Sequence, residues 1–247
     1  MWRGVMLAAQ FLTVFPLRIQ VDWNERTARA AVLSFPFVGA VIGAFLVVLY
    51  MFMFHHVSML VLSFLLMFFS IFLSGGLHAD GWMDCSDAYF SYRDRQRRLE
   101  IMSDSRVGAF AVLSILFLLG FRFVFLFETV AHMSLFSLFC IPLLSRLGMT
   151  LLLLTAPLAK QTGMAAAFRQ HVDHRYVPFV MVYAFIVLLS SETIILFLAL
   201  MLFYVVARAF AVKQFGGITG DVLGAFVEGG ETFLWLVIWL LHTFAIL

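Results

Sequence analysis

Charged side chains are scarce in this sequence. Asp, Glu, Lys and Arg supply 12% of its 247 residues, against roughly 25% in soluble proteins, which excludes an ordinary water-exposed fold. Cysteine is scarcer: Cys85 and Cys140 are the two in the chain, with neither CxxC nor Cys/His ligand spacing, which argues against a disulfide framework and a zinc site. The basic residues form no single long patch and the net charge is only +2, so nucleic acid is not an expected partner. No internal repeat, low-complexity tract or long Pro/Gly/Ser linker divides the chain, and 1–247 reads as one integral membrane domain. Residues 1–16 lack a small-residue cleavage site and read as a retained amphipathic or shallowly embedded helix.

Apolar residues take the place of charge, at 64% of the chain with a mean hydropathy of +1.03. A bilayer core of about 30 Å takes roughly 20 apolar residues in helical form, because backbone polar groups in lipid must be satisfied within the segment. Seven stretches answer that description: 30–54, 57–77, 107–127, 133–157, 176–189, 193–212 and 232–247, of which the fifth and seventh are short. The expected fold is therefore an all-α, polytopic transmembrane bundle of about seven spans. Arg18, Arg26 and Arg29 precede the first span. Arg93, Arg95, Arg97, Arg98 and Arg106 follow the second, Lys160, Arg169 and Arg175 the fourth, and Lys213 the sixth. The alternate breaks hold no Lys or Arg, so the N-terminus and the basic loops are expected in the cytoplasm, with the chain in the cell's inner membrane.

The longest polar stretch, 78–106, reads as a helix, a turn around Ser91 and Tyr92, and a second helix from Asp94. It opens with three carboxylates, Asp80, Asp84 and Asp87. At about 100° per residue these share one helix face, where like charges repel unless a cation intervenes. Hard oxygen ligands suit Mg²⁺, which keeps several waters and takes a few carboxylates plus phosphate oxygens. The bland alternative is a solvated helix end, made less attractive by Gly75, Gly76 and Gly81, which permit close approach, and by His78, a donor for a phosphate oxygen. Asp104 and Arg106 follow at the mouth of the third span, Arg106 serving either as phosphate fork or as membrane anchor. A second polar element carries Gly216, Gly217, Thr219 and Asp221. Its turn could cradle an anion, and Asp221 could act as a base or a fourth metal ligand, while Thr219 and Asp221 equally suit a helix cap. Arg146, mid-span, is expected to face a polar site. Arg122 and Arg208 are placed to snorkel, and His55, His56, His132 and His242 read as interface residues.

Three ordered blocks give the sequence a family resemblance. Gly75-Gly76-Leu77-His78-Ala79-Asp80-Gly81 with Asp84 and Asp87, then Leu99 through Phe110, then Gly216-Gly217-Ile218-Thr219-Gly220-Asp221-Val222-Leu223-Gly224-Ala225, are similar to the motifs of cobalamin synthases. Phe11-Leu12-Thr13, Phe35 to Gly39 and Ser145-Arg146 extend the likeness over nearly the whole chain, with Ala88 and Ser103 as modest departures. The resemblance implies transfer of the cobinamide phosphoryl group of adenosylcobinamide-GDP to the 5′-hydroxyl of α-ribazole or its phosphate, with release of GMP. It implies Mg²⁺ as cofactor. The expected site lies in segments 75–110 and 213–225 on the cytoplasmic side: Asp80, Asp84 and Asp87 as metal ligands, and Asp104, Asp221 and His78 as catalytic groups. Arg106, Arg146, Gly216, Gly217 and Thr219 are the expected phosphate contacts. The substrates and the bilayer are the expected partners, and a homo-oligomer stays open.

Two rival readings share the spaced aspartates. A CDP-alcohol phosphotransferase acting on lipid expects Ala-Arg after the DG pair and a Gly-x-x-x-Asp-x-x-x-Asp ending, where this chain has Met83-Asp84 and no such ending after Asp87. A divalent-cation transporter expects its carboxylates near mid-bilayer rather than at the membrane's edge.

Overall fold

The computed structural model describes residues 2–187 and 189–244, and all described elements are helical. In chain order they are α1 (Trp2–Leu12), α2 (Glu25–Leu33), α3 (Phe35–Met53), α4 (Met59–Leu73), α5 (Leu77–Phe90), α6 (Arg95–Ile101), α7 (Ala109–Thr129) and α8 (Leu135–Thr155). Then come α9 (Met164–Arg169), a 3₁₀ turn (His174–Tyr176), α10 (Val177–Met181), α11 (Ala184–Val187), α12 (Ser191–Phe215) and α13 (Gly220–Thr243). Five of these, α3, α7, α8, α12 and α13, are long and apolar enough to cross a membrane, or up to six spans if the bent pair α4–α5 is taken as one. The chain is a multi-pass membrane protein of the all-α class.

Helix α8 is the axis of the bundle. Nearly every side chain along it is buried, as expected of a helix that is apolar all round and surrounded by others. It packs most extensively against α3, where Gly39 and Gly43 meet the backbone of Pro142 and Phe139 with no room for a Cβ. Small residues four apart thus let two helix backbones touch, which is how association is driven when lipid is as apolar as the side chains. By contrast α7 and α12 leave large apolar groups such as Phe117, Phe121, Leu198 and Leu202 on the outside, the faces that meet acyl chains. Helix α1 buries Gly4, Ala8 and Leu12 at four-residue spacing, which gives the first helix the amphipathic stripe expected of it; Met1 lies outside the described residues.

Three expected spans take a different form. Among the described residues of the stretch 176–189, which omit Leu188, the chain makes only the end of the 3₁₀ turn, α10 and α11, because Tyr183, Phe185 and Ile186 donate to carbonyls three residues back and interrupt the α-helical ladder. Helices of five and four residues reach less than about 8 Å each. Yet α8 and α12 run parallel, Gly148 lying near Leu200 and Thr155 near Tyr204, so this broken segment still returns the chain through the depth of the bundle. The last expected span, 232–247, begins much earlier, as α13 starts at Gly220; residues 245–247 lie outside the described residues. The second, 57–77, ends at Leu73. Gly75 and Gly76 then adopt φ of +66° and +72°, a left-handed pair that side chains disfavour, and α5 departs at 86° from α4. Polar α5 therefore leaves the span instead of prolonging it.

Candidate functional site

The site forms where α5 and α13 cross. A Cβ on Gly81 would stand 2.6 Å from the carbonyl oxygen of Asp221, and one on Gly224 would stand 3.1 Å from Cα of His78. These two glycines let the first turn of α13 rest on the backbone of α5 and bring Asp221 beside the acidic face. Thr219 caps α13, accepting from Val222 N–H at 3.2 Å and donating to Asp221 Oδ2 at 3.2 Å, so the carboxylate is oriented as the helix begins. A cavity of about 250 Å³ opens at this crossing, lined by His78, Asp80, Asp221, Lys160, Phe35 and Phe168 among others.

Burial first, then the neighbouring carboxylates of Asp80, Asp221 and Asp87, push the Asp84 carboxyl up to about 7, with Lys160 as the opposing charge. Negative groups are thus crowded here beyond what the nearby protein cations balance. Asp87 is the exception in the set. Its two oxygens accept the backbone N–H groups of Gly108 at 2.6 Å and Ala111 at 2.8 Å, and a Cβ on Gly108 would collide with this carboxylate at 2.5 Å. Asp87 thereby satisfies amides at the start of α7 that have no intrahelical partner. Among the described residues no three His, Cys, Asp or Glu side chains are grouped closely enough to hold a metal ion. The donor chemistry still fits Mg²⁺, which is usually bound through only one or two carboxylates together with substrate phosphates, and among the described residues Asp80 and Asp84 have no hydrogen-bond partner to give up.

The remaining expected residues divide. His78, 2% exposed, joins Asp80 and Asp221 at the cavity. Arg146 is buried, as expected, with Nη2 3.4 Å from His78 Nδ1. Asp104 and Arg106 pair with each other at the surface, at 2.5 Å, and these hydrogen bonds hold the Asp104 carboxyl down to about 2. A carboxylate so stabilised is a poor proton acceptor, and neither residue lines the cavity. Gly216 ends α12 in a left-handed C-cap, φ +83°, and Gly217 lies against the Pro157 carbonyl with no space for a side chain. There Ile218 N–H donates to Pro157 and Ala159 N–H to Ile218. Gly216, Gly217 and Thr219 thus shape the helix ends that present Asp221. Ser103, a departure from the expected pattern, accepts from Lys160 Nζ at 2.9 Å.

Arg122 does not snorkel: it is 1% exposed and donates to the carboxylate and the carbonyl of Glu228, each at 2.6 Å. Glu228 and Glu231, absent from the expected site, lie inside α13 and face α7 and α8. The signal was present as two acids in an otherwise apolar stretch, hidden because the last span was started at Thr232.

Residues 4–239 match the family model described as cobalamin-5-phosphate synthase. The chain is similar to adenosylcobinamide-GDP ribazoletransferase of Geobacillus sp. (strain WCH70), at 54% identity over 98% of this chain and 97% of the relative. It is similar to the enzyme of that name from Geobacillus thermodenitrificans at 49% identity, covering 99% of this chain and 98% of the relative. The one from Halalkalibacterium halodurans is 38% identical over 96% of this chain and 95% of its own. No solved structure matches.

Proposed function

The chain belongs to the cobalamin-5-phosphate synthase family, and from that premise we propose that it transfers the cobinamide phosphoryl group of adenosylcobinamide-GDP to the 5′-hydroxyl of α-ribazole or α-ribazole 5′-phosphate, releasing GMP. The observation that carries the reading is that Asp80 and Asp221 line one cavity with a buried histidine and a lysine at a glycine-permitted helix crossing, with Asp84 close enough to feel both charges. Phosphoryl transfer asks a protein chiefly for positioning and charge stabilisation, and this set offers both. Asp80 and Asp84 would hold Mg²⁺, which when bound neutralises charge on the diphosphate. Lys160 meets the same anionic group from across the cavity. Asp221, oriented by Thr219, takes the proton of the attacking hydroxyl, and His78 donates to a phosphoryl oxygen. Asp87 holds α7 against α5.

Arg93 and Arg106 lie on loops, Arg95, Arg97 and Arg98 on α6 and Lys213 in the last turn of α12, all at this end of the bundle, which supports a cytoplasm-facing site in the inner membrane. Cys85 and Cys140 are both buried, so in Ser91→Cys an impermeant thiol reagent should label one partly exposed position, in opened cells only. The family assignment favours this transferase over a lipid-acting phosphotransferase or a cation transporter. Purified protein incubated with adenosylcobinamide-GDP, α-ribazole and Mg²⁺ should yield GMP and a product of cobalamin mass; neither product appearing would end the proposal.

A further inference from the structure

Four buried charges have no task in the reaction so far. Arg122 and Arg146 are each 1% exposed, Glu228 2% and Glu231 3%, and they sit in the apolar helices α7, α8 and α13. Arg122 holds Glu228 at 2.6 Å and reaches Glu231 at 3.5 Å, while Glu231 also pairs with Arg146 and accepts from Ser145 at 3.1 Å. Two cations and two anions cancel, so the set is electrically closed, as charges within a membrane have to be. A purely structural network would be complete at that point.

Arg146 goes one contact further, to Nδ1 of His78 at 3.4 Å. A guanidinium carries donors and no acceptor. The nitrogen facing it must therefore be the bare, accepting one, and the proton of the neutral ring resides on Nε2. Nε2 is buried and has no partner among the described residues, and its residue lines the cavity beside Asp80 and Asp221. A phosphoryl oxygen only accepts. The Nε2–H form offers it a donor, whereas the other tautomer would offer a lone pair.

We propose that Arg146, held in place by Glu231, is a positioning residue that locks His78 as the Nε2–H tautomer and so presents the cavity with one fixed hydrogen-bond donor for a phosphoryl oxygen. The purpose assigned to that donor rests on the phosphoryl-transfer reading above. The lock itself is tested without substrate, by ¹⁵N NMR of histidine-labelled full-length protein in lipid nanodiscs, with His78 identified by its loss in His78→Gln. Wild type should show a single form, protonated at Nε2 and bare at Nδ1. Arg146→Met should populate both tautomers, and Arg146→Lys, which keeps the charge opposite Glu231 but lacks the planar fork, should do the same if the methionine variant fails to fold. In parallel, kcat for GMP release should fall in proportion to the share of the ring lost to the other tautomer, about 2-fold for an even mixture, with KM for adenosylcobinamide-GDP little changed. A wild-type ring protonated at Nδ1, a wild-type mixture, or an Nε2–H signal indifferent to both substitutions would overturn the lock. The expected tautomer in a protein that releases no GMP would leave the lock standing and remove the reaction it was said to serve.

Discussion

Gly81→Ala separates the geometry of the site from the stability of the protein. The added Cβ would stand 2.6 Å from the carbonyl oxygen of Asp221 and 3.0 Å from its Cα. Both are backbone atoms, so no side-chain rotation relieves the contact. Carbon contacts settle near 3.5–4 Å, and reaching that separation moves the start of α13 from α5 by about 1 Å. Overpacking of this kind costs about 1–3 kcal/mol, partly offset by the ~0.5–1 kcal/mol that alanine gains over glycine inside a helix. The net destabilisation is therefore at most about 2.5 kcal/mol, small enough to leave a folded enzyme. A 1 Å displacement of reacting groups, however, costs about 100-fold in rate. Initial rates of GMP release should fall by that factor while thermal unfolding in detergent shifts only modestly. Gly120→Ala in α7 is the matched control, since its Cβ meets no atom within 4 Å and it lies away from the cavity, and it should keep wild-type rate. Full activity in Gly81→Ala, or an equal loss in Gly120→Ala, would refute the reasoning.

Two further outcomes follow from the same geometry. Asp87→Asn leaves one accepting oxygen for the two N–H groups of Gly108 and Ala111, and should lower stability by about 1 kcal/mol without lowering Mg²⁺ affinity; calorimetric titration of the ion against the variant checks both halves. Arg122→Met strands Glu228 and should cost about 3–5 kcal/mol, read as a lower unfolding temperature, and Glu228→Gln in the same chain should recover part of that loss.

Much of the fold was legible because lipid enforces a simple rule. The spans begun at 107, 133 and 193 fall within a few residues of α7, α8 and α12, since an apolar run of that length has few other uses. The polar stretch also resolved as expected, with α5, a turn at Ser91 and Tyr92, and α6 capped by Asp94. What hydropathy could not convey was direction. The 86° departure of α5 depends on consecutive left-handed glycines, and a window average registers only that the apolar run has stopped. In the site, helical spacing placed Asp80, Asp84 and Asp87 on one helix, and it put Arg146 inside the protein. It could not foresee that the amides engaging Asp87 come from residues 21 and 24 positions later in the chain. Nor could it pair Arg122 with Glu228, because ion pairs between helices are decided by packing and leave no periodic trace.

The central claim is that Asp80 and Asp84 hold the ion on which transfer depends, and it is tested most directly by the Mg²⁺ dependence of GMP release from adenosylcobinamide-GDP. Chelator-treated wild type should be inactive and recover with added Mg²⁺, while Asp84→Asn, folded and helical, should show neither ion binding nor release. Undiminished release from the chelated enzyme, or full turnover by Asp84→Asn, would contradict it.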